Sequence, residues 1–162
     1  MKLVFTGNNI LKGALIYASG DTIASLMLNE FSWHRVAGIM LIGATFYAFE
    51  IPNYFNWIEK GTKGTTGFRN SMHRTALAIL YFNPLWIARH LFFIQLFSFR
   101  LSGISWDIFR IASLSFLVNI PISLLANYLI QNKIPLTWRF MASAIFSALM
   151  AIYYAASKVL FS

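Results

Sequence analysis

The 162-residue chain is 58% hydrophobic and 17% aromatic but only 11% charged, with a mean hydropathy of +0.62. A soluble domain of this size would have to hide every apolar run in one small core, so the composition predicts an integral membrane protein. The formal charge of +8 comes with no aromatic-interleaved basic patch, which argues against a nucleic-acid partner, and the absence of cysteine excludes a disulfide framework and a thiolate metal site.

At roughly 20 residues per span, five apolar stretches are long enough to cross a bilayer, and the predicted fold class is an all-α transmembrane bundle of five helices, or four, in one domain. The opening segment, Met1 to Gly7, is too short and too weakly charged for a secretory or transit signal, so insertion is expected to rest on the spans themselves. Helix one is predicted from Asn8 to Leu28. Gly13, Tyr17, Asp21 and Ser25 recur there at steps of four and form one face. Helix two is predicted from Ser32 to Trp57, with Gly43, Tyr47, Glu50, Tyr54 and Trp57 on a shared aromatic and hydrogen-bonding stripe.

A glycine-rich polar loop, Gly61 to Gly67, leads to helix three, predicted from Ser71 to Phe99 and carrying Arg89 and His90. The break Leu101-Ser102-Gly103 precedes helix four, Ser105 to Ile130, on which Ser115, Asn119, Ser123 and Asn127 follow at steps of four. The run Gln131-Asn132-Lys133-Ile134-Pro135 ends it, with Pro135 opening helix five, Leu136 to Leu160, whose polar positions are Arg139, Ser143, Ser147 and Tyr154. Four polar stripes on one bundle are expected to face inward. They suit close helix packing by small and polar side chains, and they equally suit a solute path or the docking of a second copy.

Three spans hold a charge well inside: Asp21, Glu50 and Arg89. A charge at the bilayer centre costs at least about 2.5 kcal/mol on insertion scales, so these residues are expected to pair, to face the interior or to meet a water-filled path. Arg89 is expected to pair with Asp21 or Glu50, leaving one carboxylate for a tyrosine or a cation, and His90 adds a titratable neighbour. Pro52, Pro84 and Pro121 fall inside the predicted helices two, three and four, where each removes a backbone donor. The outer cations divide unevenly. Lys2, Lys12, Lys60, Lys63, Arg69, Arg74, Lys133 and Arg139 lie on the N-terminal side, against Arg35, Arg100, Arg110 and Lys158, which predicts an N-terminus on the cytoplasmic or matrix side.

Enzyme signatures are absent. His34, His73 and His90 lie in different segments with no metal-ligand spacing, and neither a nucleophile elbow nor a phosphate-cradling loop is present, so no enzyme, metal or cofactor is expected.

The residues from Pro121-Ile122-Ser123-Leu124-Leu125-Ala126-Asn127-Tyr128 to Ile134-Pro135-Leu136-Thr137-Trp138-Arg139, with Tyr153 as a late aromatic, resemble the closing signature of the Mpv-seventeen and peroxisomal membrane protein family. Gly20-Asp21 with Ala24, Arg35, Pro52 with Trp57, and Pro84 resemble that family's earlier motifs, while Ile51, Phe55, Ala78, Ile79 and Ile120 depart from them. A fainter similarity to bacterial L-alanine exporters lies in Gly20-Asp21-Thr22 and the hairpin Leu101 to Trp106. The resemblance implies a multi-pass protein of a bacterial inner membrane or of an organellar membrane, mitochondrial inner or peroxisomal. A channel or transporter for small polar solutes or ions is the expected function. Amino-acid export and a purely structural or interaction role are the alternatives.

Overall fold

The computed structural model describes residues 3–64 and 66–161, with side chains as far as 155. Lys2 and the side chain of Lys158, both counted in the charge balance, and Thr65 of the glycine-rich loop lie outside the described residues.

Among those residues the chain is helical with no strand: α1 (Gly7–Met27), α2 (Trp33–Ile42), a π-helical turn (Gly43–Tyr47), α3 (Ala48–Gly61), α4 (Phe68–Tyr81), α5 (Pro84–Phe97), a 3₁₀ turn (Leu101–Gly103), α6 (Asp107–Lys133) and α7 (Leu136–Phe161). Four described stretches, Trp33–Gly61, Phe68–Phe97, Asp107–Lys133 and Leu136–Ala155, are long and apolar enough to cross a membrane. The chain is therefore an all-helical membrane protein. α1 has the length, 21 residues, but its asparagines, Lys12 and Asp21 leave it less apolar than the others.

The chain forms two compact units, Met1–Asn53 with Phe140–Ser162, and Tyr54–Arg139, so α3 begins in one and ends in the other. In the first unit α1 packs on α2 and the π turn. The contact is close because glycines face each other: a Cβ on Gly13 would strike the carbonyl of Gly43, and one on Gly43 would strike the carbonyl of Gly13. Gly20 leaves the same kind of room for Ala148 of α7. Small residues at such crossings let backbones approach, and dispersion then replaces the hydrophobic drive that lipid cannot supply. Asn29, in the left-handed region at φ 54°, closes α1, and the Glu30 amide returns to the Ser25 carbonyl at 2.8 Å. The side chain of Asn53 ties the start of the chain to α3. It accepts from the Val4 amide and donates to the Val4 carbonyl, each at 2.8 Å.

In the second unit α6 packs against both α4 and α5, and Ala88, Ile108 and Ala112 form a small core with Ile87 and Leu91 beside it. Helix three of the sequence reading is two helices. Asn83 accepts from the Leu85 and Trp86 amides at 2.8 and 3.2 Å and caps a new helix with Pro84 in its first turn, so this proline starts a helix rather than bending one. Pro52 and Pro121 do lie inside α3 and α6.

The π turn also changes which residues of α3 are inside. The Ala48 amide reaches back five residues to the Gly43 carbonyl, and the wider turn advances the inward face by one position. Tyr47 is fully buried, and beyond it Ile51, Phe55, Ile58 and Thr62 continue the buried face, with Ala48, Pro52 and Asn53 buried beside it. Glu50 and Tyr54 are half-buried and Trp57 is exposed, so the stripe from Gly43 to Trp57 does not stay inward.

Candidate functional site

The inward face of α1 follows the 3.6-residue period: Gly13, Tyr17, Asp21 and Ser25 are all buried. The Tyr17 ring lies 4.7 Å from that of Tyr47. Asp21 pairs with Arg35, the third residue of α2. Nε and Nη2 of Arg35 donate to the two carboxylate oxygens at 2.7 Å each, and both side chains are at most 5% exposed. Arg35 is expected among the outer cations, and Arg89 as the partner of Asp21 or Glu50; the structure corrects the first, and for Asp21 the partner is Arg35. The tight turn after α1 brings α2 alongside it, so Arg35 meets Asp21 across a short hairpin. Glu30 adds a longer contact to the same guanidinium at 3.6 Å. A bidentate pair that uses both oxygens is a closed arrangement, with charge and hydrogen bonds satisfied together.

A groove of about 360 Å³ on the first unit is lined by Leu15, Ala18, Ser19, Thr22, Ile23, Val36 and Met40. Its lining is mainly apolar and carries no charge.

The remaining candidates lie mostly in the second unit. The Tyr54 hydroxyl donates to the Leu77 carbonyl at 2.8 Å, and its ring sits against Trp57 and Tyr81. Arg89 and His90 are half-buried on α5, with the His90 ring stacked on Trp86 at 5.8 Å. Asn119 and Asn127 are buried on α6, and their amides donate to the Ser115 and Ser123 carbonyls one turn back, at 2.8 and 2.9 Å. Those bonds hold the asparagine amides to their own helix. Pro121 and Pro135 are exposed.

Gln131 extends the α6 series by another step of four. The polar run before Pro135 predicts a loop at this position, but α6 continues to Lys133 and carries Gln131 into the core. It is 0% exposed, and neither its amide nitrogen nor its amide oxygen has a hydrogen-bond partner among the described residues. Next to it, Asn132 donates to the Ser71 carbonyl and to the Thr75 hydroxyl of α4, each at 3.3 Å, which joins this end of α6 to the start of α4. The signal that could have found Gln131 was the continuing period, 119, 123, 127, 131.

A second feature escaped the sequence reading. Arg139 is buried, as its place on the polar face of helix five predicts, and is not an outer cation; its Nη1 donates to Glu59 Oε2 at 2.7 Å and its Nε to the Ile134 carbonyl at 2.9 Å. Arg74 Nη2 donates to the same Glu59 oxygen. Two guanidiniums thus share one carboxylate oxygen where α3 and α6 end and α4 and α7 begin.

Among the described residues no group of three or more His, Asp or Glu side chains is placed to hold a metal ion. No protein-family model, curated protein or solved structure matches the chain.

Proposed function

We propose that the protein is a channel or transporter for small polar solutes, and that the polar line of α6 in the second unit serves their passage. The observation that supports this reading is Gln131. A buried amide without a hydrogen-bond partner costs on the order of 1–3 kcal/mol, so such groups are rare in folded proteins and call for a functional reason. From Asn119 to Gln131 the line runs about 18 Å along the helix, more than half of a hydrocarbon core of about 30 Å. A solute passing along it would find at Gln131 a donor and an acceptor not already engaged.

On this reading the N-terminus faces the cytoplasm or matrix, the side favoured by the cations that remain outside once Arg35 and Arg139 are set aside, and the membrane is a bacterial inner or an organellar one. The likeness to the Mpv-seventeen and peroxisomal membrane protein family points the same way. Reconstitution in liposomes tests it: a Gln131→Leu variant should keep or gain stability, by about 1–3 kcal/mol at most, while flux of small polar solutes falls. Unaltered flux in the folded variant would remove α6 from the path.

The second reading is a structural or interaction protein, and the asparagine bonds back to α6 carbonyls favour it, with the glycine crossings of the first unit. It requires wild-type liposomes to be no more permeable than empty ones across ions, amino acids and nucleotides.

A further inference from the structure

The cluster of Arg74, Glu59 and Arg139 holds two cations and one anion, a surplus of one positive charge. It is only partly enclosed, with side-chain exposures of 14%, 37% and 7%. It is also short of acceptors. Each guanidinium carries five N–H donors. Among the described residues they meet one shared oxygen of Glu59 and the Ile134 carbonyl, and Arg74 Nε is buried with no partner there. Neighbouring features deepen the positive field. α4 opens here without a side-chain cap, so the positive end of its dipole is bare, and Lys60, Lys63, Arg69 and Lys133 are exposed on the adjoining helix ends and loop.

The location specifies the ligand. All four helix ends belong to stretches long and apolar enough to cross a membrane, which puts the cluster at headgroup level. Phe68 and Trp138, 74% and 50% exposed, stand on the same helix starts and offer apolar surface next to the cations. Cations beside exposed aromatic rings match an amphiphile, with an anionic head and an acyl chain.

We propose that Arg74 and Arg139 bind the phosphate of an anionic phospholipid, with Glu59 as the internal anion that the phosphate competes against. Guanidinium forks suit this role, because two parallel N–H donors match two phosphate oxygens. Glu59 holds the arginines in place when no lipid is bound and limits the affinity when one is.

The test uses the full chain in neutral detergent, following thermal unfolding as phosphatidylglycerol, phosphatidylcholine or inorganic phosphate is added. Phosphatidylglycerol is expected to raise the Tm, and the other two to leave it unchanged. Apparent affinity should fall about tenfold in Arg74→Gln, the weight of one charge-assisted hydrogen bond, and severalfold in Arg74→Lys, which keeps the charge and loses the fork. Glu59→Gln should bind several times more tightly. That sign separates binding from damage, since a variant that merely loosens the fold does not gain affinity. Arg110→Gln removes an equal charge about 34 Å away along α6 from Lys133 and should change nothing. The proposal is overturned if phosphatidylcholine or inorganic phosphate protects as well as phosphatidylglycerol. It is equally overturned if Arg110→Gln weakens binding as much as Arg74→Gln, or if Glu59→Gln fails to strengthen it.

Discussion

Asp21 in the first unit and Glu59 in the second are both carboxylates that meet arginine, and the two meetings differ in kind. Asp21 faces one arginine with both oxygens and lies almost wholly buried, so its charge is cancelled and its bonding complete. Glu59 offers one oxygen to two arginines at a half-exposed helix end, leaving positive charge and donors in excess. Burial explains the difference. In a site closed to water a surplus charge costs several kcal/mol, whereas in a partly open one water shares it. A closed pair joins helices and an open cluster can bind, so an intramembrane charge is no evidence of function until its partners are counted.

The largest expected effect breaks the closed pair. Arg35→Gln should destabilise the protein by about 3–5 kcal/mol, because it strands the Asp21 carboxylate, and adding Asp21→Asn should recover most of the loss in chemical denaturation. A loss under about 1 kcal/mol would mean that water reaches the pair. Gly13→Val should follow at about 1–3 kcal/mol, through collision with the Gly43 carbonyl rather than through charge, and Asp21→Asn should not rescue it. Glu59→Gln should cost less than either, since Glu59 itself is 37% exposed and water reaches its side of the cluster, and a gain in lipid affinity beside that loss of stability is what the comparison requires. Salt gives the smallest and most direct contrast. Raising ionic strength from 0.1 to 1 M shortens the Debye length from about 10 to about 3 Å, which should weaken lipid binding at Arg74 and leave the Asp21 pair's contribution, measured by a double-mutant cycle, nearly constant.

Much of this architecture is legible in the residues. The apolar runs mark the membrane helices, and the period of Gly13, Tyr17, Asp21 and Ser25 marks the buried face of α1, because both depend on local composition and on regular helical geometry. Legibility fails where the helix stops being regular. The π turn moves the inward face of α3 from Glu50 and Tyr54 to Ile51 and Phe55, and no propensity announces it. The break before Pro84 turns one predicted helix into two, although Asn83-Pro84 is a recognisable start signal. Ending helix four at Ile130 hid Gln131, which lies two residues before the observed end at Lys133.

By itself, then, the sequence determined that this is an all-helical membrane protein, which stretches of it are apolar enough to span, and that it carries costly polar groups inside them. Which acid meets which arginine was decided only in three dimensions. Asp21 and Arg35 are 14 residues apart and Glu59 and Arg139 are 80 apart. Pairing of that kind depends on the angle at which one helix crosses another, and the crossing is set by glycine contacts and turns distributed along the whole chain.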